Sequence, residues 1–528
     1  MGLVGAGEKE RADSLKGMNE YKRVGSEVEG DDFDNDLVHY QRQLERRKST
    51  RRYVFACAVF VSLNTVLLGY DGGVMSGAII FIEEDLRITE VQIEVLVGCL
   101  SIISLFGSIA GGRTSDIIGR KWTMALAAVV FQVGVAVMTF ADSFRALMIG
   151  RLLAGVGMGF GGMITPLYIA EISPTISWGT LTSFPEIFVN LGILLGYISN
   201  YVFAGLSVHI NWRVMLGIGI LPSVFIGFAL FVIPESPRWL VMQNRVDEAR
   251  LVLLKTHEDE REAEERLAEI QLAAGTGNNA RKYGEKAVWQ ELLCPSPPLR
   301  RMLITGIGIQ CFQQITGIDA AVIYSPEIFK DAGMKGNSNL LAATVAVGVT
   351  KTSFILVAIF LIDKVGRKPL LYVSTIGMTA CLFSVGISLS LLKEGVAGAA
   401  PLLAILSVCG YVAFFSVGIG PICWVVSSEI FPLRYRAQAA ALGAVGNRVC
   451  SGLISMSFLS VSRAITVGGT FFVFAAMSAA SVAFVYALVP ETRGKSLEQI
   501  ESLFQDPRDW KGSQVEMEDV EHLVEKVT

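Results

Sequence analysis

Asp71, Arg151, Asp319, Lys351 and Arg448 each lie in a stretch of chain that is otherwise apolar for about twenty residues. An ionisable side chain at mid-membrane costs roughly 2.5–3.5 kcal/mol on insertion scales, so each of the five is a functional candidate. Asp319 closes a polar run, Gln310-Cys311-Phe312-Gln313-Gln314-Ile315-Thr316-Gly317-Ile318-Asp319, with Tyr324 further on. Amides donate and accept at once, which suits a solute covered in hydroxyls. Arg151 opens a run containing Gly155, Gly157, Gly159, Gly161 and Gly162, whose first use is close approach of neighbouring helices. All four histidines (His39, His209, His257, His522) fall outside the apolar runs, so proton chemistry inside the membrane falls to carboxylates. No nucleophile–base set, metal cluster or phosphate loop is present, and Gly155-Val156-Gly157 sits inside an apolar helix rather than after a strand. No catalytic residue, metal or cofactor is therefore expected, and the chain is not expected to be an enzyme. Seven of the eight cysteines, all but Cys294, lie in apolar runs without ligand spacing and read as small buried hydrophobes.

Such residues need a bilayer around them. The chain has 528 residues, 52% hydrophobic and 18% charged, with 53 glycines, and a mean hydropathy of +0.50. Soluble chains carry nearer a quarter charged residues. A formal net charge of -4 leaves no basic surplus for a nucleic-acid partner. Apolar runs recur near 53–80, 92–115, 122–141, 145–170, 181–205 and 213–233, and again near 301–328, 339–362, 369–392, 401–428, 436–461 and 467–489. Each is long enough to cross about 30 Å of hydrocarbon as a helix. The expected fold class is an all-α membrane protein with twelve transmembrane helices in two six-helix bundles, 53–234 and 301–490. A helical insert over 235–300 separates them, with tails over 1–52 and 491–528. The N-terminal tail, polar and acidic around Gly30 to Asp36, reads as disordered. Basic residues before the first span, and at Arg120-Lys121, Arg367-Lys368 and Arg434/Arg436, put both tails and the insert in the cytosol. The insert serves as a cytosolic gate or brace, or as a solvated linker.

The halves repeat one another. Asp116-Ile117-Ile118-Gly119-Arg120-Lys121 matches Asp363-Lys364-Val365-Gly366-Arg367-Lys368, Glu171-Ile172-Ser173-Pro174 matches Glu429-Ile430-Phe431-Pro432, and Pro234-Glu235-Ser236 matches Pro490-Glu491-Thr492. Three matched pairs at equivalent places imply two related bundles rocking about a site between them. In this reading Arg120 pairs with Glu171 or Glu235, and Arg367 with Glu429 or Glu491. The pairs hold the cytosolic side closed and break for inward opening, unless the basic residues serve only as positive-inside anchors.

The combination Gly112-Arg113, Asp116, Gly119-Arg120-Lys121, Gly150-Arg151, Pro234-Glu235-Ser236-Pro237-Arg238-Trp239-Leu240, Gln313-Gln314, Gly317, Gly420-Pro421, Trp424 and Pro490-Glu491-Thr492-Arg493-Gly494 resembles the sugar porters of the major facilitator superfamily. The resemblance covers about residues 53–500. It implies a cytosolic gate built from Asp116, Arg120, Glu171, Glu235, Arg238, Asp363, Arg367, Glu429, Arg436 and Glu491. It also implies that Asp71 is the proton site and Arg151 its partner, with a purely structural ion pair as the alternative.

Within that resemblance several positions depart from the porters of ring sugars. Asp319 and Lys351 stand where asparagines are usual, Arg448, after Asn447, where a tryptophan is usual, and Asn190 where a glutamine is usual, with Glu186 one turn before it. Asp319 and Lys351 are expected to pair, since each charge would be costly alone. These departures are the pattern of the plant polyol/monosaccharide transporters. The implied solute site comprises Asn190, Gln313, Gln314, Asp319, Tyr324, Lys351, Trp424, Asn447 and Arg448. Trp424 would stack on the solute or pack as a core aromatic, and Pro166 and Pro421 would break their helices. The expected function is proton-coupled symport of linear polyols and monosaccharides. A facilitative carrier and a non-transporting receptor of the same fold remain alternatives. The expected partners are the solute, the proton and the lipid bilayer. The expected state is a monomer in the plasma membrane.

Overall fold

The computed structural model describes residues 30–172, 184–257, 259–275, 290–393, 400–432, 435–493, 500 and 503–504. Among these, eleven helices are long and apolar enough to cross a membrane. In the first half they are α1 (Gly30–Leu86), α2 (Glu90–Ile118), α3 (Arg120–Thr139), α4 (Phe144–Ile172), α5 (Phe184–Phe203) and the pair α6 (Val208–Ile218) and α7 (Ile220–Val232), which together make one crossing. The insert forms α8 (Pro237–Met242), α9 (Val246–Thr256) and α10 (Glu260–Gly275). The second half contains α11 (Pro297–Ile315), α12 (Ile318–Ile323), α13 (Ser325–Asp331), α14 (Asn337–Val365), α15 (Arg367–Lys393), α16 (Ala400–Val417) with α17 (Ile419–Ile430), α18 (Arg436–Ile465) and α19 (Val467–Leu488).

Three elements differ from their sequence expectation. The N-terminal tail is not disordered up to residue 52: α1 begins at Gly30 and runs without a break into the first span. The expected tail segments 1–29 and 505–528 lie outside the described residues. The expected seventh span over 301–328 is interrupted. Its helix ends at Thr316, and Gly317 takes a φ of +87°, the left-handed region that an L side chain resists. Pro166 lies inside the continuous helix α4 and does not break it. In the tenth span the break falls at Gly418, and Pro421 sits in the first turn of α17, where a missing N–H costs no helical bond. The freed amide of Ile419 donates to Ser374 Oγ at 3.0 Å.

Packing follows the glycine pattern. Along α4, Gly159 meets Ser104 and Ser108 of α2, Gly157 meets Ala127 and Phe131 of α3, and Gly161 faces Asn64 of α1. One helix thereby touches three neighbours at close range, and Arg151 on the same helix is brought against both α1 and α2. The insert has its own small core of Trp239, Leu240, Val241, Ala249, Leu253, Ala263, Leu267 and Ile270. Large apolar side chains such as Phe225, Phe228 and Phe231 remain on the outer surface, as a lipid-facing belt requires.

The face carrying the 119–121 and 366–368 loops and the insert is the basic face of the molecule. The halves meet at the opposite face, where α2 and α18 run antiparallel in contact. Glu90 pairs with Arg463, Ser460 bonds Glu94, and Ser101 and Ser451 share a hydrogen bond of 3.1 Å. Nearby, Tyr197 of α5 donates to the Val322 carbonyl of α12 at 2.7 Å.

Candidate functional site

The matched motifs become matched geometry on the basic face. Glu171 accepts two bonds from the Arg120 guanidinium, Nε at 3.0 Å and Nη2 at 3.1 Å, and a third from Ser236 Oγ at 2.5 Å. Arg120 Nη1 reaches the Ser115 carbonyl and Asp116 Oδ1, both at 3.0 Å. In the second half Glu429 accepts from Arg367 Nη2 at 3.0 Å and from Thr492 Oγ1 at 2.6 Å. Glu235 and Glu491 act differently from the pairing expected of them. Each caps the start of a helix: Glu235 takes the amides of Arg120 (2.9 Å) and Lys121 (3.2 Å), and Glu491 those of Arg367 (3.1 Å) and Lys368 (2.9 Å). A carboxylate among the orphan N–H groups of a helix N-terminus is favourably placed. Burial pushes the Glu235 carboxyl up, and these amides with Arg120 pull it back.

The loop glycines make this possible. Gly119 has φ +96° and Gly366 φ +107°, and a Cβ on Gly119 would stand 2.5 Å from Glu235 Oε2. Each clamp lies within one half, tying the second-to-third or eighth-to-ninth loop to the end of the fourth or tenth span of the same half. They are intact in a conformation whose halves touch at the opposite face. The pairs Arg120–Glu171 and Arg367–Glu429 thus fasten neighbouring helix ends, as the repeated motifs lead one to expect, and each does so inside its own half. Arg238 is exposed and outside both clamps. Arg436 donates through Nε to the Phe431 carbonyl at 3.3 Å rather than to an acid. The side chain of Asp363 lies outside the described residues.

Inside the first half, Asp71 Oδ2 accepts from Arg151 Nη1 at 2.5 Å, with the two side chains only 2% and 1% exposed. Arg151 Nε also donates to the Leu96 carbonyl of α2 at 3.0 Å. One guanidinium thus ties α4 to α1 and α2 together, and the three-way tie depends on one carboxylate.

In the second half Asn447 is the centre of an amide cluster. Its Nδ2 reaches Gln313 Oε1 (2.6 Å), the Gln310 carbonyl (3.0 Å) and Gln310 Oε1 (3.2 Å), and its Oδ1 accepts from Gln314 Nε2 at 3.3 Å. Gln313 Nε2 donates to the Gly420 carbonyl at 2.8 Å, tying α11 to the broken tenth span. Two buried acceptors, Gln314 Oε1 and Asn190 Oδ1, have no partner among the described residues. Buried polar atoms are rarely left so, and a ligand hydroxyl would satisfy them. Tyr324 donates to the Ser455 carbonyl at 3.0 Å and stacks on Phe458 with ring centroids 5.1 Å apart. It is buried structural packing in this conformation. Trp424 is 40% exposed, which does not fit a core aromatic.

Asp319 and Lys351 do not form the expected ion pair. Asp319 accepts from Ser451 of α18, and the Lys351 ammonium lies 6.0 Å over the Phe415 ring. The carboxylates acting on Lys351 through space are Glu186, then Asp319. Glu186 in turn feels the charges of Lys351 and Arg448 through space and is contacted by Asn190 Nδ2 at 3.3 Å. The structure therefore brings together two acids and two bases from α5, α12, α14 and α18 rather than one pair. Glu186 and Ser451 join the site without having been assigned to it from sequence. Glu186 is visible there as an acid one turn before Asn190; a serine among many serines carries no signal.

Residues 57–504 match the sequence family described as "Sugar (and other) transporter". The protein named Probable polyol transporter 4 of Arabidopsis thaliana is 68% identical, over 96% of this chain and 94% of that one. Polyol transporter 5 of the same plant is 49% identical, over 87% and 88% respectively. Among solved structures, the major facilitator proton:xylose symporter XylE bound to 6-bromo-6-deoxy-D-glucose is 28% identical with a TM-score of 0.71, covering 86% of this chain and all of that one. An inward open conformation of the xylose transporter XylE from E. coli matches with a TM-score of 0.70 and 27% identity, over 85% of this chain and 99% of that one. Matched motifs, matched clamps and these likenesses agree, and the chain belongs to the sugar transporter family of the major facilitator superfamily.

Proposed function

We propose that this transporter couples the movement of a proton to uptake of linear polyols and monosaccharides by alternating access. The observation that carries the coupling is the dry Asp71–Arg151 pair at 2.5 Å. A carboxylate so placed holds the guanidinium only while ionised. Taking up a proton removes the charge that offsets buried Arg151, and the cation must then find other acceptors, disturbing α1, α2 and α4 together. Returning the proton restores the tie. Asp71 is thus the proton carrier and Arg151 the group that converts its charge into helix movement.

Solute selection falls to the second half. Gln314 Oε1 and Asn190 Oδ1 accept hydroxyl protons, while Lys351 and Arg448 donate charge-assisted bonds to hydroxyl oxygens and Asp319 and Glu186 accept them. A linear polyol offers only hydroxyls and loses more freedom on binding than a ring, so stronger bonds offset that cost. The half-exposed face of Trp424 is available to C–H groups of the solute. The names of the Arabidopsis relatives support the polyol assignment, and the likeness to XylE, a proton:xylose symporter, supports coupling. We place the chain in the plasma membrane as a monomer, with the basic face and both termini in the cytosol.

The test is uptake of a panel of linear polyols, inositol and hexoses with simultaneous recording of external pH. Symport requires polyol-evoked alkalinisation that a protonophore abolishes. Uptake indifferent to the protonophore would make this a facilitative carrier, and no uptake of any of them would favour a receptor.

A further inference from the structure

Glu94 has no part in the proton pair, the solute site or the clamps, yet it is a carboxylate only 3% exposed in the span α2. Both of its oxygens are engaged by one residue of the other half. Ser460 of α18 donates its backbone N–H to Oε1 at 2.6 Å and its hydroxyl to Oε2. A carboxylate gripping both donors of one residue fixes register as well as distance between two helices. Around it the antiparallel seam is tight: a Cβ on Gly98 would collide with Met456, and one on Gly452 with Ile102. One turn further out Glu90 pairs with Arg463, and deeper in Ser101 meets Ser451.

Two residues from Glu94 along the same helix is Leu96, whose carbonyl is held by Arg151 Nε at 3.0 Å. Arg151 is the partner of Asp71. Ser451, at the inner end of the seam, also binds Asp319 of the solute site. The short segment of α2 between 94 and 96 therefore touches the proton pair on one side and the other half of the molecule on the other. The geometry points to Glu94 and Ser460 as a latch that keeps the opposite face shut, released when Arg151 leaves the Leu96 carbonyl. Glu94 is in this sense a positioning residue of the transport cycle. The link to Arg151 rests on the proton-coupling reading above, whereas the latch itself rests on the Glu94–Ser460 contact alone.

The order of events follows. With Asp71 ionised, Arg151 is fixed, the Leu96 turn is fixed, and Glu94 sits on Ser460. When Asp71 is protonated the Arg151 tie slackens, the Leu96 turn can rotate, and the carboxylate of Glu94 can leave the two donors and return to them. The outer ends of α2 and α18 thus separate and close as the protonated, solute-loaded transporter changes face.

Amide hydrogen exchange on the full chain in lipid nanodiscs tests both parts. Glu94→Gln keeps the side-chain volume but can no longer accept on both atoms. It should speed exchange of segments 90–102 and 451–463 about tenfold, with the ninth span, 367–393, unchanged. Ser460→Ala should do the same, Ser460→Thr should restore protection, and Glu94→Gln with Ser460→Ala should add little to either. Asp71→Asn should open the same two segments. Unchanged exchange in Glu94→Gln, or acceleration spread over the whole chain, overturns the latch. If Asp71→Asn abolishes proton movement while both segments stay protected, the link to the proton pair is overturned and coupling stands. If wild type moves no proton, coupling fails and Glu94→Gln alone decides the latch.

Discussion

Glu171 and Arg120 show how little of a buried ion pair is decided by charge alone. Glu171 has three donors on two oxygens, and Arg120 distributes its remaining N–H groups to Ser115 and Asp116. Removing one member strands the other. Glu171→Ala should lower the stability of the purified transporter by about 3–5 kcal/mol, read as a drop in melting temperature, whereas Arg120→Met with Glu171→Leu should recover much of the loss. The loop glycines allow a sharper comparison. Gly119→Ala puts a Cβ 2.5 Å from Glu235 Oε2, Gly366→Ala puts one 3.0 Å from Glu491 Oε2, and both positions have positive φ. Both variants should fold less well, and Gly119→Ala more so, measured as the monodisperse fraction after solubilisation. At the proposed solute site Lys351→Met removes a base whose acidic neighbours are Glu186 and Asp319. Polyol uptake should fall at least tenfold, and Glu186→Gln should recover part of it by removing one stranded acid. If Glu186→Gln gives no recovery, the four charges do not act as a group.

Elements are legible in the sequence where a helix is long and apolar and obscure where it breaks. The ends of α2, α3, α14 and α15 fall within a few residues of the expected runs. Several boundaries are marked by a residue with a physical reason to stop a helix, such as Gly119, Gly366 or the capping pair Thr89 and Gln92. The seventh span reads as continuous because its hydropathy does not fall at Gly317; the break comes from a backbone angle that only the fold around Phe474 selects. The N-terminal helix is hidden for the opposite reason, since residues 30–52 are too polar to show an apolar period. Among the site residues, the acid–base set is identifiable by type and repeat. The partner of each is not, because Asp319 takes a serine and Glu235 takes backbone amides. The insert permits a pH prediction. Burial holds the His257 imidazole below its usual 6.5, with Glu262 opposing. The unfolded insert therefore takes a proton before the folded one does as pH falls. The contribution of His257 is complete above pH 6.5 and is lost as pH drops through the depressed value. Limited proteolysis of 237–275 should be slow at pH 7.5 and faster at pH 5.5, and His257→Leu should flatten the difference.

At the scale of the whole molecule, two halves with the same internal clamps touch along the seams that bring α2 to α18, α5 to α14 and α1 to α12. Clamps that lie inside each half suit alternating access, since the halves can rock without breaking them. Asp71, Arg151, Leu96, Glu94 and Ser460 form a continuous path from the proposed proton site to the face where α2 and α18 meet. Under the proposed coupling, that path gives the protonation of one carboxylate a mechanical consequence. The proposed solute network in the other half shares α18 with that path through Ser451. Coupling through Asp71 is tested most directly by external pH during polyol uptake, recorded side by side for wild type and Asp71→Asn at equal surface expression. Polyol-evoked alkalinisation is expected in wild type and should be lost in Asp71→Asn, with solute exchange retained. Undiminished alkalinisation in the mutant, or polyol uptake by wild type with no movement of protons, would refute coupling through this carboxylate.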